Sequence, residues 1–157
     1  DGIILAKAGL DRLGIPERER EHFLFLPIPE SAFLPAACQG IIAVEGRCQA
    51  SLRRLAGAVD DHLTRLAFET ERRALLNFGA DCSAPAAAYC RVLTPGGSMM
   101  DGSDGQAQNP CGLRLGLSVM YAGREQSGTA PEAQRLALAD DLCGKVREAD
   151  ARKGRKS

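Results

Sequence analysis

The chain's apolar residues fall into two regimes: short runs without a clear period before about Gly57, and clean helical or alternating patterns after it. Ile3-Ile4-Leu5-Ala6 is a strand or the start of a buried helix, and Ala8 to Leu13 continues at helical spacing. Gly14 and Pro16 predict a stop there. Glu17 to Glu21 is a charged, solvated stretch. Phe23 to Pro35 carries Pro27, Pro29 and Pro35 and predicts an extended connector. Ile41 to Glu45, entered from Gly40, predicts a buried strand. Gln49 to Gly57 predicts a short helix with Arg53 and Arg54 on its surface.

Asp60 to Asn77 is the clearest helix, with Leu63, Leu66, Ala67, Thr70 and Ala74 on one face. Asp60 or Asp61 can cap its start, and Asn77 and Gly79 can end it. Glu69, Glu71, Arg72 and Arg73 are expected away from the apolar stripe. A loop over 80–85 precedes a strand from Ala86 to Val92. Thr94 to Gly112 is rich in turn residues and predicts a flexible loop. Leu113, Leu115, Leu117 and Val119 alternate with Arg114, Gly116 and Ser118, the mark of a strand with one covered face. Gly123 to Thr129 reads as a turn. Pro131 to Ala149 predicts a helix with Leu136, Ala139, Cys143 and Val146 in one stripe, widened by Leu142. Arg152 to Ser157 is a basic tail expected to fray. Helix, strand, strand and helix from about Gly57 define a small α+β domain with two antiparallel strands. The first 56 residues do not form such a unit alone.

Charge and composition exclude several classes. Lys plus Arg equals Asp plus Glu at 20 each, which argues against a dedicated polyanion binder, although a local cationic pocket stays open. No run reaches the ~18 apolar residues a membrane span needs. The six cysteines are Cys38, Cys48, Cys82, Cys90, Cys111 and Cys143. None is paired as C-x-x-C, and neither His22 nor His62 completes a zinc-finger spacing. Reduced, mostly buried thiols are the ordinary expectation.

Cys82 differs by position, on a loop between a helix and a strand where a reactant can reach it. Its neighbour Asp81 tends to raise the thiol pKa. Arg12 can satisfy the carbonyls at a helix end, or it can serve as a fork for ligand carboxylates. Gln39-Gly40 by itself is a bare turn. Thr94 to Ser98 lacks the ending of a phosphate loop.

Taken together, these segments resemble porphobilinogen deaminase, also called hydroxymethylbilane synthase. Asp1 to Gly14 is similar to that family's D-A-I-I/V-L-A-x-A-G-L-x-R-L/M-G segment. Leu34 to Gly40, followed by Val44-Glu45-Gly46-Arg47, resembles its P-A-V-G-Q-G segment and the acidic and basic pair beyond it. Glu71-Arg72, followed by Gly79 to Pro85, resembles its E-R-A segment and Cys loop. Leu136 to Leu142 is similar to a late helix of the family.

The resemblance implies an enzyme that joins four porphobilinogen molecules head to tail with release of ammonia. It implies a dipyrromethane cofactor held as a thioether by Cys82. Thioethers resist hydrolysis, so a growing chain stays attached through successive additions. Acetate and propionate arms on the pyrroles call for Arg forks, of which Arg12 is one. Ala8, Gly9, Gln39 and Gly40 are expected to line the cleft near the cofactor. By the same resemblance residues 1–30 end a second domain and residues 31–56 return to a first, both periplasmic-binding-protein-like. Residues 57–157 form the C-terminal α+β domain that carries the cofactor.

The resemblance places the family's catalytic Asp upstream, so no catalytic residue is assigned here and the chain alone is expected to be inactive. It implies a monomer in the cytoplasm, or alternatively the plastid, with no metal and no nucleic-acid or membrane partner. There are departures from the pattern. Ala80 and Asp81 replace two glycines before the Cys, Cys38 replaces the glycine before Gln-Gly, and Ala84 replaces a valine. A divergent relative that only binds tetrapyrrole-like carboxylates or a partner protein is the alternative. An unrelated redox module using Cys82 ranks last, for want of a resolving Cys nearby.

Overall fold

A computed structural model describes residues 1–79, 84–100 and 112–154, with side chains described as far as 152. The chain divides into two compact units, residues 1–33 and residues 34–157.

In the first unit, α1 (Lys7–Arg12) and α2 (Ile15–Arg18) meet at Gly14, whose φ of 63° suits a residue without a Cβ. Lys7 pairs with Asp11 one turn on. The expected apolar element at Ile3 to Ala6 is neither a strand nor buried. Residues 23–33 hold no helix or strand, in keeping with Pro27 and Pro29. Leu24 remains 81% exposed.

The second unit begins with turns. Ile41 to Glu45, whose apolar run predicts a buried strand, forms no strand, and Ile42 is 88% exposed. A β-branched run makes a strand only where a neighbour takes its main-chain hydrogen bonds, and none pairs with it among the described residues. α3 (Ala50–Ala58) forms where expected, with no residue buried.

α4 (His62–Phe78) starts at Asp61, whose carboxylate accepts from Thr64 N–H at 2.7 Å, and ends at Gly79 in the left-handed region. Its buried side chains are Leu66, Thr70, Glu71, Ala74 and Phe78. Glu71 therefore departs from the expectation that it lies off the stripe. It falls four residues after Ala67 and three before Ala74, which returns it to the core face.

The sheet has three antiparallel strands in the order β1 (Ala86–Leu93), β2 (Arg114–Tyr121), β3 (Arg124–Pro131). Cys90 stands opposite Leu117, and Leu117 opposite Gly128. The third strand corrects the expectation of a turn over 123–129. Ala122 and Gly123, with φ of 50° and 76°, make a two-residue hairpin loop, and β3 runs outward from it. On β3 only Ala130 is buried, so the strand carries no apolar alternation to announce it.

Pro131 closes β3 instead of opening a helix. A 3-10 turn (Glu132–Gln134) leads into α5 (Arg135–Gly154), which runs past the expected end at Ala149. The two helices touch each other and cover one face, α4 on β1 and α5 on β3 and β2. The core joins Leu66, Ala74 and Phe78 to Leu115, Leu117 and Val119 and to Ala139, Leu142, Cys143 and Val146. Leu136 lies outside the stripe expected of it and is 40% exposed. Gly128 has a packing reason, because a Cβ there would lie 3.1 Å from Leu138 Cδ1 of α5. Architecture and content are α+β.

Across the two helices Arg73 clamps Asp140 with two hydrogen bonds of 2.7 and 3.0 Å, and Asn77 adds a third. No helix is long and apolar enough to cross a membrane among the described residues.

Candidate cofactor site

Ala8, Gly9 and Arg12 share α1 and are exposed, and Ala8 and Arg12 stand one turn apart on one face. The carbonyls at the end of α1 are satisfied by another residue. Arg18 donates to Leu13 O at 2.8 Å and to Gly14 O at 3.2 Å. Arg12 is left without a hydrogen bond or ion pair among the described residues, so the capping role is taken and the fork is free. Beside it, nothing lies within 4 Å of the position a Cβ would occupy on Gly9.

Gln39 and Gly40 belong to the second unit, on a turn over residues 37–40, and both are exposed. The turn is built from two left-handed residues, Cys38 at φ 62° and Gly40 at φ 78°. It is fastened from beneath. Cys38 N–H donates to Glu71 Oε2 at 2.6 Å, and Cys90 N–H donates to Glu71 Oε1 at 2.7 Å. Glu71 is only 4% exposed and has no cationic partner among the described residues. Burial pushes its carboxyl above the usual range, and the two main-chain donors pull it back. Sequence reasoning missed this residue because its neighbours 69, 72 and 73 are charged. The signal that could have found it was helical phase relative to Ala67 and Ala74.

Cys82, with Ala80 and Asp81, lies outside the described residues, as does Cys111. The flanks of the Cys82 segment are described. Gly79 caps α4, with its N–H on the carbonyls of Leu75 and Leu76. Phe78 stacks on Tyr121 with ring centroids 5.0 Å apart. On the far side Pro85 O accepts from Ala122 N–H at 3.0 Å. Both ends therefore leave from rigid elements. Ala8, Gly9 and Arg12 sit in one unit, and Gln39 and Gly40 sit in the other.

The other thiols are quiet. Burial pushes Cys90 up to about 12 and Cys143 up to about 11. Burial and the charge of Glu71 raise Cys38. Cys48 is exposed and accepts from the Arg53 guanidinium at 2.6 Å. Among the described residues no cluster of three or more His, Cys, Asp or Glu is placed to hold a metal. A free guanidinium beside open main chain at Gly9 suits a ligand bearing carboxylates.

The comparisons give this arrangement a class. Residues 1–54 match the family model described as porphobilinogen deaminase, dipyromethane cofactor binding domain. That span holds Ala8, Gly9, Arg12, Gln39 and Gly40 together.

Most of the chain is similar to porphobilinogen deaminases. A porphobilinogen deaminase of Streptococcus sanguinis (strain SK36) is 39% identical over 144 residues, covering 89% of this chain and 43% of the relative. One from Roseiflexus sp. (strain RS-1) is 32% identical over 143 residues, covering 90% and 43%. One from Paenibacillus macerans is 33% identical over 131 residues, covering 82% and 39%. The chain thus spans less than half the length of these curated relatives.

Proposed function

We propose that this chain works within a porphobilinogen deaminase (hydroxymethylbilane synthase) polypeptide, a transferase of tetrapyrrole and heme synthesis. That enzyme condenses four porphobilinogen molecules and releases ammonia. The observation that carries this reading is similarity to porphobilinogen deaminases along 89% of the chain, with residues 1–54, α1 among them, matched by the cofactor-binding family model. A covalently held dipyrromethane supplies the primer to which pyrrole rings are added.

The residues of this chain have distinct tasks in that reading. The Cys82 thiol is the point of attachment. Arg12 binds an acetate or propionate arm through its free guanidinium. Ala8 and Gly9 offer small side chains, so a flat ring can approach the main chain. Gln39 and Gly40 present exposed main chain on a turn fixed to α4. The catalytic acid comes from the rest of the polypeptide, so residues 1–157 alone are inactive.

In the same reading residues 1–30 end a second domain and 31–56 return to a first, both of periplasmic-binding-protein type, while 57–157 is the cofactor-carrying domain. Exposed Ile3, Ile4, Phe23, Leu24, Ile42 and Val44 support this, since such surfaces ordinarily lie under another domain. The protein acts as a monomer in the cytoplasm, or in a plastid, without nucleic acid or membrane.

Intact-mass analysis of the full-length protein tests the proposal. An adduct of two pyrrole units on Cys82, absent from Cys82→Ser, is the expected result. An unmodified Cys82 in a folded protein would favour the divergent carboxylate-binding relative. Bilane formed by residues 1–157 alone would refute the assignment of the catalytic acid elsewhere.

A further inference from the structure

We propose that Glu71 is a positioning residue, whose buried carboxylate holds the Gln39–Gly40 turn against the free edge of β1. β1 is an edge strand, paired along one side by β2. Cys90 and Val92, two residues apart, turn their main-chain groups to the same side, away from β2. Those groups need partners, because an open edge in a covered layer leaves them unsatisfied. Val92 O accepts from Met100 N–H at 3.1 Å. Cys90 N–H donates to Glu71.

The second oxygen of the same carboxylate takes Cys38 N–H, from a segment more than thirty residues earlier in the chain. One side chain therefore ties an edge strand to a turn. The bonds are charge-assisted and formed at 4% exposure, where little water competes for them. They run through main-chain donors, so they fix where the backbone of residues 38–40 stands. Positive φ at Cys38 gives the same sign, since the turn adopts a costly conformation that brings its N–H onto the carboxylate. No ion pair engages Glu71 among the described residues, and its two oxygens go one to each main-chain donor. Gln39 and Gly40 follow directly and inherit that placement.

The functional side of the inference rests on the proposed function, in which this turn lines the substrate cleft. The test uses the full-length protein with Glu71→Gln, which keeps the shape but turns an amide N–H₂ toward one of the two donors. Val146→Ala, a core truncation in α5, serves as a control for lost stability. Amide exchange at Cys38 and Cys90 is expected to quicken at least tenfold in Glu71→Gln and much less in the control. KM for porphobilinogen is expected to rise several-fold in Glu71→Gln and to hold within twofold in Val146→Ala. Equal KM in the two variants overturns the positioning role. If Glu71→Gln fails to fold, the wild type decides by itself. Amides 38 and 90 opening with the same free energy support the tie, and Cys38 exchanging as fast as a free turn overturns it. A wild type that carries no adduct and makes no bilane overturns the functional reading and with it the role in the cleft, whatever the exchange shows.

Discussion

Cys38 is the place where the conformation of one residue can be converted into a sign. It holds φ 62° in a turn, a region that costs a residue with a Cβ roughly 1–2 kcal/mol. Replacing it by Gly removes that strain. The cost is greater freedom of the unfolded chain, about 0.4–1 kcal/mol. The half-buried thiol contributes about half of a buried methylene-sized group, ~0.4 kcal/mol, lost in both Cys38→Gly and Cys38→Ala. The bond from residue 38 N–H to Glu71 is main-chain and survives in both variants. Cys38→Gly should therefore lie near the wild type, and Cys38→Ala below Cys38→Gly by about 0.5–1 kcal/mol. At an ordinary helix or strand position the order is reversed, with Ala the more stable by roughly 0.5–1 kcal/mol.

Equilibrium urea unfolding followed by far-UV circular dichroism reads the difference, with unchanged m as the check that the unfolded state is the same. In a domain of this size about 1 kcal/mol moves Tm by ~2–4 °C. An Ala variant as stable as the Gly variant, or more so, would refute the left-handed turn. The resemblance carries a glycine at this position. The physical reason is now visible in the φ that position demands, and the departure at Cys38 is tolerated because the turn is tied to Glu71.

Two further outcomes follow from the core and from Glu71. Leu117, fully buried in the central strand, should cost about 2–5 kcal/mol as Leu117→Ala in the same unfolding assay, and a loss below 1 kcal/mol would contradict the register that places it at the centre. The carboxyl of Glu71 is held above its ordinary 4.5, so between that value and its raised native one the folded state binds more protons than the unfolded state. Stability from this group is therefore greatest below pH 4.5 and falls as pH rises through the native value. Unfolding free energies measured stepwise from pH 4 to 7 should show this decline in the wild type and not in Glu71→Gln, and parallel curves would remove the effect.

What was legible in the sequence follows physical lines. α4 announced itself through a stripe and two caps, Asp61 and Gly79, and β2 through strict alternation. β3 did not, because an edge strand with one buried residue satisfies its hydrogen bonds without needing apolar side chains. Ile41 to Val44 misled for the opposite reason, since β-branched side chains describe what a strand would bury and not whether a partner strand stands beside it. Glu71 was hidden by charge, although helical phase alone assigns it to the core face. The sequence leaves Arg12 two roles, and only the structure shows that Arg18 fills the first of them.

The thiols separate by burial, and that separation decides which of them can react. At neutral pH a thiol with its pKa near 12 is ionised roughly a thousandfold less than one near 9, and the thiolate is the nucleophile. Cys143, raised to about 11, is suppressed about a hundredfold, and its sulfur sits 3.7 Å from Ala74 O inside the interface of the two helices. Access falls with ionisation, because Cys90 and Cys143 are both buried. Cys48 is exposed, so a reagent in solution reaches its sulfur directly. Brief alkylation of the native chain with iodoacetamide, mapped by peptide mass, should therefore label Cys48 well before Cys90 or Cys143. All should label alike in urea. If Cys90 or Cys143 reacted in the native chain as fast as Cys48, the packing of α4 and α5 over the sheet would be wrong. If the order holds, the fold itself silences its two buried thiols, and an electrophilic pyrrole would find no competing nucleophile at either of them.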